Sequence, residues 1–256
     1  MKSLAVVFLV GLMTTGNSRA ADTHTATPVL VELFTSEGCS SCPPADAWLQ
    51  RMDAAQPLPG AELIVLSEHV DYWNHDGWKD PYSSSLVTER QSDYVRALGL
   101  QTPYTPQVIV DGAAELHLTD EKEMEQTLQQ AAAGSKVSVR ITSATLDPAN
   151  RSVVRAHVEA DGGSAGENAD VYSAIALSHA ESQVLRGENS GKHLTHVAVV
   201  EQLTKIGKIE KGKTFSRDVE IKLKSGTDPK NIRLIVFAQK PGPGKVLGAA
   251  LQENIQ

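Results

Sequence analysis

Residues 29–46 read VLVELFTSEGCSSCPPAD, and they hold the features from which we predict the start of the fold. The run from Val29 to Phe34 is apolar apart from one acid, which is typical of a strand buried on both faces. Gly38 and the Cys39-Ser40-Ser41-Cys42 segment then turn the chain. A helix follows at Pro43, since prolines are tolerated in the first helical turn, where backbone N–H groups have no intrahelical partner.

The rest of the chain divides into two parts with different hydrophobic patterns. A second buried strand at 62–69 completes a strand–helix–strand unit, which predicts a parallel pair with a right-handed crossover. Further predicted elements are a helix at 83–98, a strand at 107–110, a hairpin return at 114–118 and a helix at 119–133. From Lys136 onward, short alternating segments between Gly/Pro/Asp turns favour an antiparallel β-sandwich. We therefore expect two domains, residues 28–134 and 136–256.

This order of elements resembles the thioredoxin fold. The expected fold class is an α/β thioredoxin-like domain followed by an all-β sandwich-like C-terminal domain. The segments Val31–Asp46, Asp71–Trp78 and Tyr104–Gln107 are similar to those of the exported bacterial family catalogued as domain of unknown function 1223. The resemblance covers most of the mature chain and implies a thioredoxin-like fold, but it supplies no established reaction. One departure is Gly38, where thioredoxins usually carry an aromatic residue.

The N-terminus predicts export, and the net charge indicates which partners to expect. Lys2, the apolar run from Leu4 to Met13 and the small residues of Ser18-Arg19-Ala20 form the pattern of a signal peptide over residues 1–20, cleaved near Ala20. We expect a periplasmic or secreted protein without stable membrane insertion after cleavage, because no second long apolar run follows. The net charge of −7 and the lack of a Lys/Arg run argue against nucleic acid as a partner.

The two cysteines of the sequence lie in one Cys-x-x-Cys pair, for which three interpretations exist. Structural zinc needs four ligands, and further cysteines are absent from the sequence. As a stabilising link, a loop of about four residues contributes roughly 2 kcal/mol, against about 5 for a loop of a hundred residues. A redox-active disulfide is the interpretation that we favour, with a metal site and a passive disulfide as alternatives.

The favoured chemistry assigns a role to each cysteine. Cys39 precedes the helix, where unpaired N–H groups favour a thiolate, so we expect it to be the exposed nucleophile. Cys42, within the first turn and more buried, would resolve the mixed disulfide. Glu32 is the single acid of the first strand; burial would raise its pKa toward proton transfer, and the alternative is a solvent-facing glutamate. Catalytic candidates are thus Cys39, Cys42, Glu32 and Pro106.

Two other segments are expected to border the pair. Pro106 would be a cis-proline facing the cysteines, by resemblance to thioredoxin-like folds, with Thr105 presenting its backbone to substrate. The loop after the second strand should open on the same sheet end, which makes His69, Asp71 and Trp73 candidates for substrate binding. Packing within an ordinary loop is the alternative. For His193 and His196 we expect surface or cross-strand positions.

The leading hypothesis is an exported thiol–disulfide oxidoreductase that needs no cofactor beyond its disulfide. Its partners would be proteins or small thiols, joined through a mixed disulfide. One alternative is a copper-binding carrier using Cys39, Cys42 and His69, since soft thiolates and imidazole suit copper(I). The other is a non-catalytic interaction protein.

Overall fold

The computed structural model describes residues 26–162 and 167–255. The predicted signal peptide at 1–20 lies outside these ranges. In the part of the chain that is described, no helix is long and apolar enough to cross a membrane.

Strands dominate the described residues, whose three helices all lie between residues 43 and 133. The elements in chain order are β1 (Thr27–Thr35), α1 (Pro43–Ala55), β2 (Ala61–His69), α2 (Ser85–Ala97), β3 (Gln107–Val110), β4 (Ala114–Leu116), α3 (Glu121–Ala133), β5 (Val139–Leu146), β6 (Val153–Asp161), β7 (Ala169–Gln183), β8 (His193–Ile209), β9 (Thr214–Lys222), β10 (Ile232–Gln239) and β11 (Val246–Gln252).

One mixed sheet of eight strands runs through both halves of the chain, in the order β11-β10-β7-β8-β2-β1-β3-β4. Strands β1 and β2 are parallel over their full length, as the strand–helix–strand unit predicts. Strand β3 is antiparallel to β1 and β4 to β3, so the predicted hairpin is also present. The two halves join where Ser67 of β2 pairs with Val199 of β8.

The expected fold class is therefore wrong. The N-terminal elements do not form a compact α/β domain, because their sheet continues into β8, β7, β10 and β11. Nor do the later strands form a sandwich of their own, since only β5, β6 and β9 make a second sheet. The alternating patterns located the strands correctly, but they carried no information about which sheet each strand joins. The domain limits at 28–134 and 136–256 stay a prediction.

In the described residues, three apolar cores lie on the large sheet, and the smallest packs Val87 and Tyr94 of α2 against Phe34 and Ile109. The first packs α1 and α3 against the inner strands, with Trp48, Leu49 and Leu128 meeting side chains such as Val31 and Leu33. The second packs the three-stranded sheet against β7 and β10. The near-continuous apolar runs of β1, β2 and β10 follow from burial on both faces.

Helix α1 sets the position of the cysteines. Cys42 is its N-cap residue, and Pro43 and Pro44 occupy the first helical positions, as the sequence predicts. The N–H groups of Ala45 and Asp46 bond to the carbonyl of Cys42. The pair thus lies where β1 ends and α1 begins.

Candidate functional site

Cys39 and Cys42 form a disulfide at the start of α1. Both residues are completely buried, whereas Ser40 and Ser41 between them are exposed. The expectation of an exposed Cys39 is therefore wrong for this oxidised form. The hydroxyl of Ser41 stays close to the disulfide, with its Oγ 3.3 Å from Cys39 Sγ.

The loop that holds Thr105 and Pro106 covers Cys39. The Thr105–Pro106 peptide bond is cis, as expected. The carbonyl oxygen of Thr105 lies 3.8 Å from Cys39 Sγ. Trp73 donates its indole N–H to Thr105 Oγ1 at 2.8 Å, and a Cβ at Gly38 would lie 2.8 Å from Trp73 Cβ. Trp73 therefore packs between the cysteine loop and the proline loop, and Gly38 leaves room for it.

Buried polar side chains meet next to the disulfide, around Glu37. Its carboxylate accepts hydrogen bonds from Trp78 Nε1 at 2.8 Å and pairs with His196 Nε2 at 3.2 Å. Its backbone N–H donates to Asp80 Oδ2 at 2.9 Å. Thr35 Oγ1 donates to Asp46 Oδ1, which lies 3.8 Å from His196 Nδ1. We call Glu37, Asp46, His69, Asp80 and His196 the histidine–acid cluster.

The histidine–acid cluster contains two histidines in edge-to-face contact. The ring centroids of His69 and His196 are 4.7 Å apart. His69 Nδ1 lies 2.7 Å from Asp80 Oδ2, and both side chains are fully buried. Burial raises the pKa of Asp80, but attraction to His69 and hydrogen bonds to it outweigh this effect and the net pKa is lowered. Because His69 is completely buried, its role here is within the cluster and not at the surface.

His196 carries the positive charge of this cluster. Burial lowers the pKa of His196, whereas Asp46 and Glu37 raise it, and the balance is a pKa of about 9. His196 is thus an imidazolium at neutral pH, held between two buried carboxylates. We expected surface or cross-strand positions for both histidines. His193 is exposed, whereas His196 is buried and lies opposite Ala180 of β7 in the strand pairing.

The loop between β7 and β8 also reaches the cysteines. We call residues 184–192 the clasp loop. The buried amide of Asn189 donates to the carbonyls of Glu37 at 2.8 Å and Cys39 at 2.9 Å. Glu188, which is exposed, accepts a hydrogen bond from the N–H of Ser40 at 3.1 Å. The cysteine loop is therefore tied to a segment about 150 residues away in the sequence.

Glu32 lies in a different cluster, on the opposite face of β1. It accepts hydrogen bonds from Arg90 Nε and from Tyr94 Oη of α2, both at 2.6 Å. Its neighbour Glu68 is fully buried, with Arg90 Nε at 3.6 Å. Burial, followed by repulsion from Glu32, holds the pKa of Glu68 well above its usual range. Glu32 is neither solvent-facing nor paired with the histidine–acid cluster; it is the partner of a buried arginine.

Asp71 also turns away from the cysteines. Its carboxylate accepts a hydrogen bond from Thr88 Oγ1 at 2.7 Å, and Thr88 lies in the first turn of α2. For the copper alternative, no group of three or more His, Cys, Asp or Glu side chains within residues 26–162 and 167–255 could hold a metal ion. His69, the third ligand in that hypothesis, is bonded to Asp80.

Sequence reasoning expected Thr105, Pro106 and Trp73 beside the pair, where the structure has them, but it missed other polar residues around the cysteine loop. Glu37 and Asp46 stand within the quoted motif, and their charge in a buried turn was a usable signal. Asp80 lies just beyond the Trp-rich loop and could have been grouped with it. His196 and Asn189 offered no signal, since only the fold brings β8 and the clasp loop to α1.

Comparison with known proteins places the chain in a family. A crystal structure of a protein from Agrobacterium tumefaciens is similar to it, with 28% identity over 90% of this chain and 96% of that one, and a TM-score of 0.71. HBP35 of Porphyromonas gingivalis shares the fold at 16% identity, over 90% and 76% of the two chains, with a TM-score of 0.62. No curated protein matches the sequence. Residues 30–239 match the family described as Protein of unknown function (DUF1223), and the chain belongs to that family.

Proposed function

We propose that this protein is an exported thiol–disulfide oxidoreductase that works through Cys39 and Cys42. The observation that carries the proposal is the position of the disulfide. It closes a short loop at a helix start, beside the backbone carbonyl of Thr105 and against the histidine–acid cluster. A link of this length adds little to chain stability, so exchange chemistry is the better reason for keeping both cysteines.

The exchange consists of two displacements. In the reductive direction, the Cys39 thiolate attacks a substrate disulfide R–S–S–R′, forms Cys39–S–S–R and releases R′–S⁻. Cys42, as thiolate, then attacks Cys39 Sγ and releases R–S⁻, which regenerates the Cys39–Cys42 disulfide. Two electrons pass from the pair to the substrate, and the same steps in reverse oxidise a dithiol. The backbone N–H groups at the start of α1 favour the thiolate forms.

The surroundings supply positioning for these steps. The Thr105 carbonyl beside Cys39 Sγ offers a backbone acceptor to an extended substrate segment. His196 Nε2 lies 3.2 Å from the carboxylate of Glu37, two residues before Cys39, so the histidine–acid cluster holds the start of the cysteine loop in place.

The test is equilibration of the folded protein with glutathione buffers of graded potential, read by thiol alkylation and gel shift. We expect reversible two-electron behaviour without unfolding. Cys42→Ser should accumulate mixed disulfides with a disulfide-bonded model protein, and the matched Cys39→Ser variant should not. A pair that dithiothreitol reduces only in the unfolded protein would contradict the proposal and support the passive disulfide of a non-catalytic interaction protein.

A further inference from the structure

The clasp loop is attached to the backbone of the cysteine loop, next to the buried disulfide. Val184 is buried and anchors the first end of the loop. Across the base of the loop, the N–H of Val184 donates to the carbonyl of Lys192, and the N–H of Gly191 donates to the carbonyl of Val184. Asn189 is fully buried, while its neighbours in the loop from Leu185 to Gly191 are otherwise exposed. A single buried polar side chain in an exposed loop indicates a specific attachment.

Asn189 holds the cysteine loop by two carbonyl groups. Its Nδ2 donates to the oxygens of Glu37 and Cys39, on either side of Gly38. Its Oδ1 accepts from Lys192 Nζ at 2.8 Å, so all of its amide is used. These bonds fix the peptide groups that carry Cys39, whereas the Glu188–Ser40 bond closes the outer edge.

We propose that Asn189 is a positioning residue which keeps the Cys39 loop closed, and that release of the clasp loop gates thiol access to the disulfide. This inference rests on the proposed exchange function and adds the loop movement that controls it. The physical reason is that both cysteines have no exposed surface when the clasp is attached. An attacking thiolate must approach along the S–S axis, so the buried sulfur atoms must first become exposed, and we expect the peptide groups of Glu37 and Cys39 to move away from Asn189 when they do.

The rate of reduction should then follow the open population. Each hydrogen bond that is lost raises that population severalfold, and losing both bonds of Asn189 raises it about tenfold. We expect Asn189→Ala to speed reduction of the folded disulfide by dithiothreitol about tenfold, under conditions where the rate is proportional to the dithiothreitol concentration. Glu188→Gln, which keeps size but weakens an exposed bond, should speed it about two- to threefold. Asn150→Ala, in the remote β5–β6 turn, is the matched control and should leave the rate unchanged.

The readouts separate gating from simple damage. Hydrogen exchange by mass spectrometry should show faster exchange in residues 36–42 and 184–192 of Asn189→Ala, with the β1 and β2 amides as protected as in the wild type. A reduction rate within twofold of wild type in a folded Asn189→Ala would overturn the inference. If Asn189→Ala does not fold, Glu188→Gln decides: an unchanged rate and unchanged exchange in residues 36–42 would overturn it.

These outcomes are distinct from failure of the exchange function. If the folded wild type reacts with dithiothreitol but forms no mixed disulfide with protein substrates, the proposed function fails while the gating remains measurable. If the wild type exchanges with protein substrates and the clasp variants react at its rate, the gating alone fails.

Discussion

Two buried clusters of charged side chains lie on opposite faces of the same strands, and they differ in the cation that pairs with their buried carboxylates. On the α2 face, Arg90 carries a permanent positive charge. It forms hydrogen bonds with Glu32 and Tyr94 and lies 3.6 Å from Glu68. On the α1 face, His196 holds Glu37 and Asp46 with a charge that can be removed by pH. The cation of the first cluster is permanent, whereas the cation of the second can lose its proton.

The difference explains which cluster belongs to the site. An arginine cannot give up its proton in a protein, so the Arg90 cluster has the character of an anchor between the large sheet and α2. Its further bond to Gln239 of β10 ties distant strands to that helix. The histidine–acid cluster instead adjoins the residues that carry Cys39. Shifted pKa values occur in both clusters, at Glu68 as well as at His196, so the contact with the cysteine loop is what distinguishes the histidine–acid cluster.

The largest expected effect comes from breaking the anchor. Arg90→Met leaves Glu32 buried without its cation, and we expect the free energy of unfolding to fall by about 3–5 kcal/mol. Urea denaturation at pH 7 measures it. Arg96→Met, in the exposed pair with Asp93 on the same helix, is the control and should cost less than about 0.5 kcal/mol. A loss below about 1 kcal/mol for Arg90→Met would show that Glu32 is not held by charge.

The second prediction tests the removable charge of His196. A folded-state pKa of about 9, raised from 6.5, makes its stabilisation complete below about pH 6.5 and gradually lost as pH rises through about 9. The decline should amount to about 3 kcal/mol in the wild type, since the side chain is buried. Urea denaturation from pH 6 to 10 measures it.

Two variants sharpen this pH test. His196→Asn should abolish the decline between pH 6.5 and 9, and His193→Asn, an exposed histidine of the same strand, should retain it. An equal slope in wild type and His196→Asn would mean that His196 is not the titrating group, and the contrast between the two clusters would fail.

The smallest expected effect concerns the disulfide itself. Reduction of Cys39–Cys42 should lower the free energy of unfolding by about 2 kcal/mol, because the closed loop is so short. Parallel urea curves of oxidised and reduced protein measure the difference. A loss above about 4 kcal/mol would mean that the disulfide mainly stabilises the fold. The α1 face would then serve stability, as the α2 face does.

The local elements were accessible from the sequence, and the reason is that their signals are local. The apolar run before Cys39 predicted β1, the two prolines after Cys42 predicted the start of α1, and the run from 62 to 69 predicted β2. Each depends on neighbouring residues alone. The placement of Thr105 and Pro106 beside Cys39 was instead expected from the resemblance to thioredoxin-like folds, since no local pattern joins residues so far apart.

The sequence by itself therefore determined the elements, the cysteine pair and the family resemblance, while the tertiary structure decided the sheet and the site. Residues 32 and 35 point to opposite faces of β1. Glu32 therefore contacts α2, whereas Thr35 contacts Asp46 of α1. The pairing of β2 with β8 merged the two halves of the chain. It brought His196 to Glu37 and Asn189 to Cys39, each from more than a hundred residues away. Strand pairing between distant segments is set by packing of the whole core, which no local pattern encodes.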